Sequence, residues 1–363
     1  MKITRNAVLC LLSLLLALTA VVSAHASEGA SGDAILPVAR EGGEESTDAE
    51  TTASGESPET EEKDDYIRYI DFGLTATAMQ DALDAHLAAR ERGRDYDWID
   101  LLSLLATRYG MDFSQYRRAH LTELVSKLDS GQTLENLVTN PKLFAYYREA
   151  LGAVLGGMVG DYTEVTVAED GSETSTQTYG LRVCSPIASG YYYQDYDDFG
   201  ASRSYGYKRS HLGHDMMGSV GTPILAVESG VVTALGWNQY GGWRVGITSF
   251  DGTRYYYYAH LRRDHPYCEL YEGKIVHAGE VIGYLGMTGY SATENVNNID
   301  NPHLHFGLQI IFDPSQKEGW NQIWIDLYQM TRFLSQSRPS TFRDAAAGES
   351  RSRTYYVYGE TPD

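Results

Sequence analysis

Two short histidine clusters contain the side chains of this sequence that could bind a metal ion together. One is the His-x-Gly-x-Asp motif at 211–215, and the other is a His-x-His motif downstream. Alternate residues of an extended strand share a face, so His211 and Asp215 would lie on one side, with Gly213 leaving a metal-sized gap. His214 would project from the opposite face, where packing or a hydrogen bond is the expected role. The first motif therefore offers one imidazole and one carboxylate to a common site.

The second cluster is Pro-His-Leu-His-Phe at 302–306. By the same two-residue period, His303 and His305 project from one face of their strand, so one can bind the ion while its neighbour faces the reacting atoms. Two imidazoles and one carboxylate suit a catalytic zinc, because a fourth position stays free for water. The two clusters together therefore predict a catalytic Zn²⁺ site.

Further motifs accompany these clusters in a fixed order along the chain. They are His-x-Gly-x-Asp at 211–215, Gly-Thr-Pro at 221–223 followed by Ala226 and Gly230, Tyr-Ala-His-Leu at 258–261, and Pro-His-Leu-His-Phe at 302–306. In this order and spacing the sequence resembles the M23 (LytM or lysostaphin-type) zinc metallopeptidases, which cut peptide cross-links in bacterial cell walls. The resemblance extends over about a third of the chain, from about residue 180 to 315.

The resemblance implies a role for each chemical side chain. It makes His211, Asp215 and His305 the zinc ligands, and His260 and His303 the catalytic pair beside a zinc-activated water. One member of this pair would accept a proton from the water, while the other stabilises the oxyanion or helps protonate the leaving amine. The implied activity is hydrolysis of peptide cross-links or stem peptides of peptidoglycan.

Two departures from the family pattern concern the surroundings of the metal site. A long segment, from Tyr290 to Asn301, separates Thr288-Gly289 from the His-x-His strand. It predicts a groove-side loop of unusual length, whose ends Tyr290 and Asn301 are candidates for substrate contact. Gly307 stands where the family often has Glu, which predicts a change around the metal site without loss of the metal.

A strand pattern interrupted by Asp251-Gly252 predicts a hairpin between residues 243 and 261. The hairpin would deliver His260 to the end of its second strand. Tyr256 and Tyr258 share a face with His260 by the two-residue period. Both tyrosines are therefore further candidates for the substrate groove.

The remaining periodicities predict an α+β multidomain fold. Residues 66–162 have helical period, with Asn140-Pro141 as one helix start, and predict a small N-terminal helical bundle. Residues 163–338 predict a C-terminal, mostly antiparallel β-sheet metallopeptidase domain with a groove. Residues 339–363 are predicted to form a flexible tail.

The N-terminal segments predict export. Residues 1–26 have the basic start, apolar run and small-residue end of a secretory signal peptide, and an uncleaved membrane anchor is the alternative. Residues 27–65 are acidic and poor in large apolar groups, which predicts a disordered linker. The predicted location is secreted, extracellular and associated with the cell wall, with membrane contact only through an uncleaved anchor.

Composition and cysteine usage bear on partners. A formal charge of −20 gives no electrostatic footprint for nucleic acid. The resemblance implies peptidoglycan peptides as the partner, and the helical domain is a candidate site for a protein partner. Cys184 and Cys268 form either a disulfide or two free thiols. The alternative to an enzyme is a non-catalytic peptidoglycan-binding or regulatory scaffold protein of a cell-wall remodelling complex, but all five chemical residues of the family are present.

Overall fold

The computed structural model describes residues 68–70, 72–205, 208–313, 316–317, 321–344 and 346–359. The predicted signal peptide at 1–26 and the predicted acidic linker at 27–65 lie outside these residues. Across the described ranges, no helix has both the length and the apolar character that a membrane crossing requires.

The segment before the main sheet is helical, as the periodicity predicts. Its helices are α1 Ala76–Glu91, α2 Trp98–Tyr109, α3 Arg118–Asp129, α4 Leu134–Leu137 and α5 Pro141–Leu155, with a 3₁₀ turn at Phe113–Gln115. Asn140 caps α5, because its Oδ1 accepts a hydrogen bond from the backbone N–H of Leu143 at 3.2 Å and Pro141 occupies the first helical position.

These helices pack against a short helix from the far end of the chain, α6 Tyr328–Leu334. The indole of Trp98 stacks on the ring of Phe333 at a centroid distance of 5.9 Å, and both side chains are buried. The backbone N–H of Ala76 donates to Oε1 of Gln329 at 3.0 Å. The helical region is therefore attached to the β region by both apolar and polar contacts.

The rest of the described chain consists mainly of strands. They are β1 Arg68–Ile70, β2 Val159–Val167, β3 Glu173–Leu181, β4 Tyr193–Asp195, β5 Ser202–Arg203, β6 Arg209–Ser210, β7 His214–Gly218, β8 Pro223–Leu225, β9 Gly230–Asn238, β10 Gly242–Ser249, β11 Arg254–Ala259, β12 Ile275–Val276, β13 Val281–Tyr284, β14 His303–Ile310, β15 Ile323–Ile325, β16 Thr341–Asp344, β17 Glu349–Ser352 and β18 Thr354–Val357.

The main sheet runs in the order β1-β15-β14-β11-β10-β9-β12, and β7 pairs with both β14 and β4. Only the β1–β15 pair is parallel among the described pairings of this sheet. The α+β class with a mostly antiparallel sheet is thereby confirmed. The boundaries at 66–162 and 163–338 stay predictions, and β1 joins the sheet from within the first of these segments.

One face of the main sheet forms the core. Val245 and Ile247 of β10, Tyr256 and Tyr258 of β11 and Phe306 of β14 have no exposed surface. The ring of Phe306 lies 5.2 Å from that of Tyr258 and 6.2 Å from that of Tyr256, so aromatic packing holds β11 against β14. The side chains that alternate with these face the other way, into a groove.

The tail after Arg338 differs from the predicted flexible segment. Strand β18 pairs with β2 in a three-stranded sheet, and the ring of Tyr356 packs on that of Tyr162 at 5.1 Å. The hydroxyl of Tyr358 accepts a hydrogen bond from the backbone N–H of Ser229 at 3.1 Å. Burial of these aromatic rings offsets the entropy of ordering a segment that is otherwise rich in charged and small residues.

The two described cysteines are free thiols. Cys184 is fully buried in a cluster with Tyr162, Leu225 and Tyr356, whereas Cys268 is half-buried elsewhere. Of the two alternatives left by the sequence, the structure contains the pair of unbridged thiols.

Candidate metal centre and groove

The three predicted ligands meet where β7 pairs with β14. Asp215 of β7 lies directly opposite His305 of β14 in the antiparallel register, and His211 reaches the same point from the end of β6. Nε2 of His211 lies 2.8 Å from Nδ1 of His305 and 3.0 Å from Oδ1 of Asp215. Nδ1 of His305 lies 3.0 Å from that carboxylate oxygen. One atom of each side chain therefore converges on a common point.

This donor set fits a zinc ion. Ligands at 2.0–2.1 Å in a tetrahedron lie about 3.3 Å from one another, which is close to the observed separations. His211 and Asp215 are buried and His305 is half-buried, so one side of the cluster opens to the groove. The residues are of the types and in the number that a catalytic site with an open position requires.

The local backbone differs from the continuous strand predicted for 211–215. Strand β7 begins only at His214, and Gly213 packs directly under the ring of His305. A Cβ at Gly213 would lie 2.6 Å from two atoms of that ring, so only glycine allows the imidazole to reach Asp215. His214 faces away, as predicted, and its Nε2 lies 2.7 Å from Oδ1 of Asp195.

Two residues that the sequence did not single out orient the ligands. The backbone carbonyl of Asp198 accepts from Nδ1 of His211 at 3.1 Å, which leaves Nε2 of that ring to face the cluster. Arg203 donates to the free carboxylate oxygen of Asp215, Oδ2, at 3.2 Å, and also pairs with the carboxylate of Asp198. Arg203 thereby joins the surroundings of two ligands.

Burial and hydrogen bonding act in opposite directions on the ligand pKa values. Burial lowers the pKa of His211, but hydrogen bonds to Asp198 and Asp215 outweigh it and raise that pKa to about 9. Burial raises the pKa of Asp215, yet its bonds to His211 and His305 leave it well below the usual carboxylate range. Burial lowers the pKa of His305. Asp215 and His305 are thus in their metal-binding forms at neutral pH, and His211 would release a proton on binding.

His260 and His303 lie beside the ligand cluster, with their ring centroids 4.7 Å apart. The carbonyl of Thr288 accepts from Nδ1 of His260 at 2.8 Å, and that of Asn301 accepts from Nδ1 of His303 at the same distance. Because a carbonyl can only accept, these contacts assign the proton of each neutral ring to Nδ1. Burial, followed by the nearby His303 and His305, holds the pKa of His260 well below its usual value.

The five predicted chemical residues all line one groove of about 570 Å³. Tyr290 and Asn301, the ends of the long loop, also line it, and their role in substrate binding stays a prediction. The ring of Tyr290 lies edge-to-face with His260 at 5.8 Å and stacks on Tyr205 at 4.7 Å. Tyr290 therefore lines the groove beside the histidine pair, and the ring of Tyr205 packs against it.

Tyr256 and Tyr258 do not line the groove, in contrast to the prediction. Both side chains are fully buried, and their hydroxyl groups bond within the core. The reason is that strand β11 ends at Ala259 and His260 has a positive φ of 60°, which breaks the two-residue alternation. His260 consequently faces the same side as Tyr257.

Tyr255 and Tyr257 are the β11 tyrosines that line the groove. Each ring lies over a glycine of the neighbouring strand segment, since a Cβ at Gly246 or Gly241 would lie 2.2 Å from the hydroxyl of Tyr255 or Tyr257, respectively. These glycines are the sequence signal that distinguishes the groove face from the core face.

The glycine at position 307 also makes room for an aromatic ring of the groove. A Cβ at this position would lie 2.6 Å from the indole ring of Trp324, which lines the groove and meets Tyr257 edge-to-face at 6.2 Å. The absence of a side chain at Gly307 therefore makes room for an aromatic wall beside the metal ligands.

The segment that contains most of the groove residues is similar in sequence to known peptidases. Residues 209–318 match the model of peptidase family M23. The chain is 37% identical over 123 residues to the L-Ala–D-Glu endopeptidase of Bacillus subtilis (strain 168), covering 34% of this chain and 36% of that protein. It is also 37% identical over 97 residues to lysostaphin of Staphylococcus simulans, covering 26% of this chain and 17% of that protein.

The matches to these two relatives therefore cover well under two thirds of each relative's own length. Among solved structures, a lytM protein of Ruminococcus gnavus ATCC 29149 is 24% identical, with a TM-score of 0.46, covering 76% of this chain and 92% of that one. The segment that matches the family model contains all three predicted ligands.

Proposed function

Residues 209–318 of this chain belong to peptidase family M23, and on that premise we propose that the protein is a zinc metalloendopeptidase acting on peptidoglycan peptides. The observation that most supports this proposal is the convergence of His211, Asp215 and His305 beside the His260–His303 pair in one groove. The names of two relatives, an L-Ala–D-Glu endopeptidase and a peptidoglycan DD-endopeptidase of Vibrio cholerae that is 36% identical over 98 residues, support a peptide of peptidoglycan as the substrate.

His211, Asp215 and His305 would hold the metal through the atoms that converge in the groove. A Zn²⁺ ion bound there would lower the pKa of a coordinated water towards about 7 and polarise the scissile carbonyl. Arg203 fixes Oδ2 of Asp215, which leaves Oδ1 as the ligand atom. The long loop and the aromatic wall would hold the peptide against this cluster.

His303 is the better placed general base. Its Nδ1 donates to the carbonyl of Asn301, so Nε2 is the ring atom left to accept the proton of the attacking water. The carboxylate of Asp215 lies 3.7 Å from this Nε2 and stabilises the imidazolium that forms. His303 can then return the proton to the leaving amine.

His260 has a complementary role because burial keeps its ring neutral. Its Nδ1 donates to the carbonyl of Thr288, so its Nε2 accepts a hydrogen bond from the attacking water and orients it. The edge-to-face contact with Tyr290 holds the ring in this orientation.

A non-catalytic wall-binding or scaffold protein of the same fold would not need this constellation. Retention of three converging ligands and two oriented histidines favours catalysis over binding alone. A peptidoglycan substrate requires that the protein reach the cell wall, which agrees with the predicted signal peptide and secreted location. Both of these, and a protein partner for the helical region, stay predictions.

The proposal is tested by incubating the full chain with purified peptidoglycan, in buffer, with a chelator, and with the chelator followed by excess Zn²⁺. Mass spectrometry of the released fragments identifies new peptide ends. Release that stops with the chelator and returns with zinc supports the proposal, and the fragment masses identify the bond. If folded, zinc-loaded protein bound peptidoglycan but released nothing from several wall chemotypes, the binding-module alternative would replace it.

A further inference from the structure

The groove collects positive charge although the chain as a whole has a formal charge of −20. The cationic side chains along its lining are Arg203, Arg209, Arg244 and Lys317. The lining also contains two carboxylates, Asp215, which pairs with Arg203, and Asp300, so the cationic side chains are in excess. A cleft with an excess of one sign attracts ligands of the opposite sign, because low-dielectric walls focus the field. The groove is therefore suited to a peptide that carries negative charge.

Three of these cations already have structural partners. Nζ of Lys317 lies 5.3 Å from the centroid of the Tyr255 ring. Arg203 pairs with Asp198 and with the ligand Asp215. The guanidinium of Arg209 lies over the rings of Tyr240 and Tyr290, at 4.9 Å and 5.4 Å from their centroids. These contacts account for the positions of both arginines without a substrate.

Arg244 is different. Within the described ranges, its guanidinium makes no ion pair and no hydrogen bond, and its Nε is buried with no partner. A buried donor without an acceptor costs free energy, and a ligand that supplies an acceptor would remove that cost. Its half-buried side chain lines the same groove as the metal ligands.

The sheet register gives the distance from Arg244 to the reacting centre. The pair Val245–Tyr258 places Arg244 beside Ala259, and Ala259 pairs with His305. Two strand spacings separate the Cα atoms of Arg244 and His305 by about 10 Å. An extended peptide advances about 3.3 Å per residue, so the guanidinium can reach a group one to three residues from the scissile bond.

We propose that Arg244 binds a carboxylate of the substrate peptide and thereby selects anionic peptides over uncharged ones such as oligoglycine. The planar guanidinium matches a carboxylate through two parallel hydrogen bonds, which a neutral amide cannot reproduce. The carboxylate belongs either to an acidic side chain or to the C-terminus of the peptide. The inference rests on the proposed function for the position of the scissile bond, but binding alone can test it.

The test uses the full chain with zinc and synthetic peptides that contain an L-Ala–D-Glu bond. Each peptide is made as the free acid, as the side-chain carboxamide and as the C-terminal carboxamide, with pentaglycine as the uncharged comparison. Fluorescence anisotropy gives Kd, and chromatography gives kcat/KM. Two variants test the site: Arg244→Gln removes the charge, and Arg244→Lys keeps it. The control variant is Arg263→Gln, which changes an exposed arginine that pairs with Asp264 and lies outside the groove lining.

We expect the unmodified protein to bind the free acid about tenfold to a hundredfold more tightly than one of the two carboxamides. Arg244→Gln should abolish that preference and leave binding of this carboxamide unchanged, Arg244→Lys should keep part of it, and Arg263→Gln should have no effect. The carboxamide that loses affinity identifies the carboxylate as side-chain or terminal.

Equal binding of the acid and both carboxamides by the unmodified protein would overturn the inference. So would an Arg244→Gln variant that weakens all peptides equally, because that result indicates a structural role. If the acid preference depends on Arg244 but no peptide is hydrolysed, the carboxylate site stands and the proposed peptidase activity on these peptides fails.

Discussion

Replacement of His303 by alanine should separate proton transfer from metal binding. Nε2 of His303 lies 3.7 Å from Oδ1 of Asp215, whereas Nδ1 of His305 lies 3.0 Å from the same atom and within the converging cluster. His303→Ala therefore leaves the donor set intact and removes only the base, which corresponds to a loss of about 10²- to 10⁴-fold in kcat. This loss equals about 3–5 kcal/mol of transition-state stabilisation.

His305→Ala should act differently, because it removes one of the three donors. Loss of a partner outside the metal shell already costs about 10–100-fold in affinity, so loss of a ligand should exceed that range. Zinc content and affinity are measured by metal analysis and competition with a chromophoric chelator, beside peptidoglycan hydrolysis. His265→Ala, an exposed histidine outside the groove lining, is the control. Equal zinc loss in His303→Ala and His305→Ala would refute the division between base and ligand.

Three further predictions concern the frame of the groove. Glu228→Gln should lower the free energy of unfolding by about 2–3 kcal/mol in urea titrations, since it removes the buried charge partner of Arg254 and leaves only the half-exposed Asp251 to pair with it; a loss under about 1 kcal/mol would contradict the structure. Gly246→Ala should cost about 1–3 kcal/mol and weaken peptide binding, because its Cβ would meet the Tyr255 hydroxyl at 2.2 Å; an unchanged melting temperature would contradict the close packing. Burial raises the pKa of the Asp251 carboxylate, but the nearby Arg254 outweighs burial and lowers this pKa from 3.8 to about 2 in the folded protein. The ionised Asp251 therefore stabilises the fold fully above pH 3.8, and this contribution is lost as the pH falls through about 2. Because the side chain is half-exposed, the contribution is about 1 kcal/mol. Asp251→Asn should remove this part of the pH dependence of the free energy of unfolding.

The convergence of the three predicted ligands could be predicted from the sequence, because each donor lies in a short motif. His211 and Asp215 are four residues apart and come from one segment, and His305 pairs with Asp215 through a local strand register. Motif order indicates such contacts even where the exact backbone differs, as it does at Gly213. The helical segment and the antiparallel class were predictable for a related reason, because both follow from periodicity within each segment.

The groove walls were harder to predict because their direction depends on one backbone angle. The positive φ of His260 turns its ring to the side that Tyr257 faces, so Tyr257, instead of Tyr258, shares the groove with His260. Asp198 and Arg203 reach the ligands from a preceding segment through contacts that no motif announces. The order of the tail likewise depends on distant packing of Tyr356 on Tyr162.

The pairing of β18 with β2 has a practical consequence for anyone who excises the β region. A fragment that stops at Arg338 leaves one side of β2 with unpaired N–H and C=O groups and uncovers the ring of Tyr162. Such an edge invites intermolecular pairing, so the short fragment should aggregate during purification while one extended through Tyr358 stays monodisperse. Fusion proteins that include the β region should therefore extend through β18.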